Sequence, residues 1–263
     1  MKTFSLQTAQ WLAPLAQFAY GETKYPGAPY KIISIDSAAD IHAKLIQFPR
    51  CNVLTFEGTH DARNWFTDAA IGLREWGPRG MKIHWGALQA YLSIDGAVLK
   101  ALDAAPAVPL WITGHSLGAW LACLCGFSLA YYHSGRWSAL HETEIHDDIA
   151  GIYGFGCPRL FNRAGARAYD RLLGDRTWRI THALDPIPHI PWAAPGWRSE
   201  LYWKTKNHVW IDDSGFLDVN RSFWRELPHA WRCALQEEMR GELAPMPDHS
   251  IARYIAALNQ VKI

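Results

Sequence analysis

Two hydrophobic periods run along the chain. In the first twenty residues Leu6, Ala9, Leu12, Leu15, Ala16 and Ala19 recur at steps of three and four, with Trp11 beside Leu12 and Gly21 as a stop. That spacing predicts a helix. The segments "YKIISI", "CNVLTF", "VPLWIT", "IAGIYGFG" and "TWRITHA" are short and apolar, and they predict strands. Runs such as "VPLWIT" have no polar face, as expected of a sheet covered on both sides. Helical periodicity returns between several of them, at 83–104 and 117–133. The alternation is that of an α/β layer architecture. Later, "ELYWKTKNHVWIDDSGFLDVN" predicts a hairpin turning at Asp-Asp-Ser-Gly, followed by a helical stretch from about Ser222 to Met239 in which Pro228 marks a break. No repeat, low-complexity tract or linker interrupts the pattern, so 1–263 reads as one domain.

Composition narrows the class. With 263 residues, 49% hydrophobic and 19% charged, the chain is of ordinary globular type and long enough for a full core. A formal charge of +1, without a Lys/Arg run, argues against nucleic acid as a partner. Gln7, Thr8 and Gln10 interrupt any signal-peptide core at the N-terminus, and no 18-residue apolar run suggests a membrane span. The 5 cysteines, Cys51, Cys123, Cys125, Cys157 and Cys233, are odd in number, and three lie in apolar runs. They read as reduced core thiols, and a cytoplasmic location is expected.

The chemistry centres on Gly114-His115-Ser116-Leu117-Gly118. This stretch follows the apolar strand 108–113 and opens a helix, the strand-turn-helix context of a nucleophile elbow. A turn this sharp strains the serine backbone, and small residues two positions to either side avoid collision with the neighbouring strand and helix. Ser116 would then project its hydroxyl above the sheet edge. The N–H of Leu117, at the positive end of the new helix, would face the same space. A serine hydroxyl is a weak nucleophile, so the site needs a histidine base and a carboxylate to orient it. Chain order in such folds places both after the serine, and His208, His229 and His249 all compete as the base.

Six segments taken together, "FEGTHDARNWFTD", "ITGHSLGAWLA", "GFGCPRLFN", "RITHALDPIPHIP", "YWKTKNHVWI" and "DHSIARYI", resemble the motifs of the fungal-type (class 3) lipase family across roughly residues 52–255. The resemblance implies an α/β-hydrolase fold, with a mostly parallel central sheet covered by helices on both faces. It implies Asp185 as the triad acid and His249 as the base, with Thr59 and Leu117 forming the oxyanion hole. Asp185 follows an apolar strand and precedes three prolines, which suits a rigid strand end. His249 sits at a loop-to-helix junction, with Asp248 as the expected N-cap and Ile251, Tyr254, Ile255 and Leu258 as the helix face. His208 and His229 then read as structural. Glu57 stands where the family usually carries arginine, but a backbone donor at Thr59 does not require that arginine. Cys157 replaces a small residue of the family's Gly-x-Pro motif and reads as a buried thiol without thiolate activation.

Two further features read as structure. "HETEIHDD" at 141–148 misses the His-Glu-x-x-His spacing by one position and reads as a solvated loop, so no metal is expected. Cys123 and Cys125 lie on well-separated sides of one helix and cannot form a metal or redox clip. The segment "THDARNWFTDAAIGLREW" at 59–76 reads as an amphipathic helix with Trp65, Phe66, Ala69, Ala70, Leu73 and Trp76 on one side, a lid segment at 60–77 or a fixed surface helix. The expected activity is ester hydrolysis through an acyl-enzyme, with an acylglycerol substrate and transient lipid-interface contact. The alternatives are an esterase on soluble or aryl (feruloyl-type) esters, a phospholipase and an acyltransferase. No cofactor is implied, because nucleophile, proton carrier and charge stabiliser are all protein groups.

Overall fold

Helix α1 (Leu6–Phe18) begins where Ser5 Oγ accepts from Thr8 N–H at 3.1 Å. Its buried residues Ala9, Leu12, Ala13, Leu15 and Ala16 follow the predicted stripe. The structure, a computed structural model, describes residues 3–21, 29, 31–59, 72–133, 149–190, 205–220 and 247–261.

Strands β1 (Lys31–Asp36), β2 (His42–Gln47) and β3 (Asn52–Phe56) form an antiparallel edge. After a small ribbon of β4 (Leu73–Glu75) and β5 (Lys82–His84), helix α2 (Trp85–Asp103) leads to β6 (Leu110–His115), which pairs parallel with β3. Helix α3 (Leu117–Tyr132) then leads to β7 (Ile149–Phe155). Helix α4 (Arg163–Leu173) connects β7 to β8 (Thr177–His182), which β9 (His208–Ile211) follows. The order is β1-β2-β3-β6-β7-β8-β9-β10, with β10 (Leu217–Val219) antiparallel to β9 and β3 through β9 parallel.

Side-chain alternation along the strands divides the core into two layers. Leu54, Phe56, Ile112 and Ile152 pack on one face with Tyr91 of α2, Trp120 of α3 and Tyr169 of α4. Val53, Tyr153, Phe155 and Ile180 pack on the other with Leu12 of α1 and Tyr254 of α5 (Ile251–Gln260). Each large side chain so buried contributes about 1.5–3 kcal/mol relative to exposure. Helix α3 is buried on every side from Leu117 to Ala130, which its all-round apolar sequence requires.

The expected strands are present, as are the late hairpin and the helices expected at the N-terminus, at 83–104, at 117–133 and after His249. At its turn Asp212 Oδ1 accepts from Ser214 N–H at 2.9 Å and Phe216 N–H at 3.0 Å, and Gly215 takes φ +80°. The sequence reading lacked β2, β5 and α4. In β2 the alternation is short, since after His42, Ala43, Lys44 and Leu45 it is broken by apolar Ile46 and buried polar Gln47, and the buried stripe of α4 is mostly Gly165, Ala166 and Ala168. Most of the lid segment at 60–77 lies outside the described residues, as do 141–148 and 222–239. Its final part departs from the expected helix, because Leu73–Glu75 pairs as a strand with Lys82–His84. Gly77 (φ +95°) and Gly80 (φ +82°) supply the tight reversal that a continuous helix would not allow.

Candidate active site

Ser116 joins β6 to α3 with φ 58° and ψ −124°, a conformation that a non-glycine residue holds only when its surroundings impose it. Its N–H donates to Phe155 O at 2.9 Å, which ties the turn to β7. Close approach explains the flanking glycines. A Cβ on Gly114 would lie 2.3 Å from the Gly118 backbone, and one on Gly118 would lie 2.3 Å from Phe56 O. Gly118 therefore seats the start of α3 against the chain leaving β3, the chain that carries Thr59. Leu117 is the first residue of α3, where N–H groups have no partner within the helix and the dipole is positive.

Asp185 lies in the turn after β8, with Ala183 at φ 39° ahead of it and the short 3₁₀ turn Ile187–His189 behind it. Fully buried, its carboxylate accepts from Ile187 N–H through Oδ1 at 2.9 Å and from His249 Nδ1 through Oδ2 at 2.9 Å. A carboxylate on Nδ1 leaves Nε2 of the neutral ring free to accept a proton. Among the described residues, His249 Nε2, Ser116 Oγ and Thr59 Oγ1 are all buried without a hydrogen-bond partner. Such atoms are costly unless something else engages them. Asp185 and His249 are thus brought into contact, whereas Ser116 Oγ and His249 Nε2 are not hydrogen-bonded in this structure.

Residues to which the sequence reading gave no part in the chemistry complete the site. Tyr254 on α5 donates its hydroxyl to Asp185 Oδ2 at 2.5 Å, the oxygen already bound by His249. Burial and the Asp185 charge push the Tyr254 pKa well up, so the phenol remains a donor. Gly156, at φ +60°, makes room for the pair, since a Cβ there would lie 2.9 Å from His249 Cε1 and 3.2 Å from Asp185 Oδ2. His115 packs its ring against His249 with centroids 4.6 Å apart. Helical period placed Tyr254 on the inner face, but only the fold shows what its hydroxyl meets.

His208 is held on β9 by a hydrogen bond of 2.8 Å to Thr181 Oγ1, in keeping with a structural role, and His229 lies outside the described residues. The expected N-cap Asp248 is displaced by Ser250, because His249 ends a separate 3₁₀ turn before α5 begins. Asp248 instead accepts from Leu184 N–H at 3.3 Å, which joins the His249 turn to the Asp185 turn. Cys157 is buried as expected, but its pKa departs from expectation. Burial alone would raise its pKa, but the hydrogen bond from Cys123 and the guanidinium of Arg179 outweigh burial and hold it below the ordinary thiol range.

A family model described as lipase (class 3) matches residues 53–194. The lipase of Rhizomucor miehei is 28% identical over 215 residues, which cover 73% of this chain and 56% of that protein. The secreted mono- and diacylglycerol lipase LIP1 of Malassezia globosa is 31% identical over 156 residues, covering 58% of this chain and 46% of that one. The chain spans about half the length of these curated relatives. The solved structure of Rhizomucor miehei triacylglyceride lipase superposes with a TM-score of 0.67 at 21% identity, over 98% of this chain and 99% of that chain, which shows the α/β-hydrolase fold. The expected cytoplasmic location is overturned by these relatives, since the Malassezia protein is a secreted one. Among the described residues no helix is long and apolar enough to cross a membrane.

Proposed function

The chain belongs to the class 3 lipase family, and from that premise we propose that it hydrolyses carboxylic esters of acylglycerols through an acyl-enzyme, as one α/β-hydrolase domain. Ser116 Oγ attacks the acyl carbonyl while His249 Nε2 takes its proton, and Asp185 stabilises the imidazolium that forms. The N–H groups of Thr59 and Leu117 hold the oxyanion, the first at the end of the chain leaving β3 and the second at the positive end of α3. The alcohol departs with the proton from His249. Water, activated by the same base, then releases the acid. Acylglycerols with long chains gather at a lipid–water interface, so the reading includes transient contact with such a surface. Relatives named as lipases and as mono- and diacylglycerol lipases support the substrate class.

One observation carries the reading. Among the described residues Ser116 Oγ and His249 Nε2 are buried without a hydrogen-bond partner, and they belong to the elbow and to the Asp185-bound histidine that packs beside it. The test is Ser116→Ala, assayed on a diacylglycerol and by fluorophosphonate labelling. Hydrolysis should fall by about 10³-fold or more, and labelling should vanish with the fold intact. Retained turnover, or a label on another serine, would refute the assignment.

A further inference from the structure

His115 precedes the nucleophile, yet its ring points away from it into a buried chain of contacts. Its Nε2 lies 2.6 Å from the backbone carbonyl of His249, and its Nδ1 lies 2.8 Å from the Tyr20 hydroxyl. A carbonyl only accepts, so Nε2 must carry the proton. Burial and the neighbouring His249 push the His115 pKa well down, so the ring is neutral. Nδ1 is then a lone pair, and the Tyr20 hydroxyl donates to it. The chain runs in one direction, from Tyr20 O–H to His115 Nδ1 and from His115 Nε2–H to the His249 carbonyl.

Resting on the hydrolase reading, we propose that His115 is a positioning residue that fixes the backbone of the base His249, and that Tyr20 fixes the tautomer with which it does so. Among the described residues, the ring of His249 is aimed by Asp185, and its turn is tied one residue earlier, where Asp248 accepts from Leu184 N–H. The His249 backbone belongs to a three-residue 3₁₀ turn, Pro247–His249, too short to hold a reacting atom by its own hydrogen bonds. Anchoring the carbonyl to the residue before Ser116 references the base directly to its nucleophile. Neutrality matters as well. A protonated His115 would face the His249 imidazolium with ring centroids 4.6 Å apart at the moment Ser116 gives up its proton. Gly58 shows that the arrangement is built for, because a Cβ there would lie 2.1 Å from the Tyr20 hydroxyl oxygen and 2.5 Å from His115 O. The tyrosine reaches His115 only because the chain beside Thr59 has no side chain at that point.

The test uses the whole chain and reads kcat, KM and the tautomer. His115→Leu should lower kcat by about 10- to 100-fold with little change in KM, the effect of a misplaced reacting group. His115→Gln, whose amide can still donate to the carbonyl, should recover most of that loss. A folded His115→Leu with kcat within about twofold of wild type would overturn the proposal, as would a Gln variant no better than Leu. If His115→Leu fails to fold, imidazole ¹⁵N NMR decides. In the wild type Nε2 must be protonated and Nδ1 bare at neutral pH, and Tyr20→Phe must shift the Nδ1 resonance and lower kcat. The opposite tautomer, an imidazolium, or an unaffected Tyr20→Phe would overturn it. A wild type that neither hydrolyses esters nor takes the fluorophosphonate label would instead refute the hydrolase reading, because the NMR measurement needs no substrate.

Discussion

Tyr254 and His249 donate to the same oxygen, Asp185 Oδ2, at 2.5 and 2.9 Å. Asp185 therefore holds the base from one side while α5 holds Asp185 from the other. A hydrogen bond to a charged group contributes about 1.5–3 kcal/mol, part of it in stability and part in aiming the carboxylate. Tyr254→Phe should thus lower kcat by roughly tenfold, whereas Asp185→Asn, which removes the charge and lets the wrong tautomer form, should cost about 10⁴-fold. Steady-state kinetics on a soluble ester check both. Equal losses would mean that the Tyr254 phenol is as necessary as the carboxylate itself.

Gly156→Ala offers a steric test. The added methyl would press on His249 Cε1 at 2.9 Å and Asp185 Oδ2 at 3.2 Å, and φ +60° is unfavourable for any β-carbon. Backbone strain of this kind costs of order 1–3 kcal/mol. The variant should melt at lower temperature, and its kcat should fall further than the stability loss explains, because the displaced groups are the base and its partner. A folded variant of normal kcat would show that the pair tolerates displacement.

Members of a proton-transfer unit should also fail together. Once Ser116 is alanine, His249 has no proton to accept, so adding His249→Ala to Ser116→Ala should cost little more than either alone. A double variant whose losses multiply would place His249 outside the step that involves Ser116.

How much of this was legible beforehand depended on how local each signal is. Ser116 is readable because its strand, turn and helix are contiguous and its glycines have a steric reason at fixed offsets. Asp185 and His249 are separated by 64 positions, and only the resemblance joined them in the sequence. Tyr254 was assigned to the core correctly, but period alone cannot say that a hydroxyl on the inner face meets a carboxylate from the turn after β8. The burial of Cys157 was legible but its lowered pKa was not, since the Arg179 that tunes it arrives from a neighbouring parallel strand 22 positions away. Chain order excludes His115 as the base, since it precedes the serine. Only the fold shows that its ring meets the backbone of the base.

A pH-dependent loss of stability should come from a different histidine. His84 ends β5 and caps α2, its Nδ1 accepting from Ala87 N–H at 3.3 Å, with its ring 4.6 Å from Trp120. Burial pulls its pKa from 6.5 to about 4. Because the folded value lies below the unfolded one, folding favours the neutral ring. The resulting stability is fully present above pH 6.5 and is lost as pH falls from there towards 4. By pH 4.5 the loss should approach about 2.5 kcal/mol relative to pH 7.5, from a shift of that size at about 1.4 kcal/mol per unit. Protonation at Nδ1 would also cost the helix its cap. The comparison is between wild type and His84→Asn, whose side-chain oxygen can still accept from Ala87 but does not titrate, by urea unfolding at the two pH values. Other groups titrate equally in both proteins, so the difference between their pH slopes isolates His84. Parallel slopes would show that His84 takes up its proton without resisting the fold.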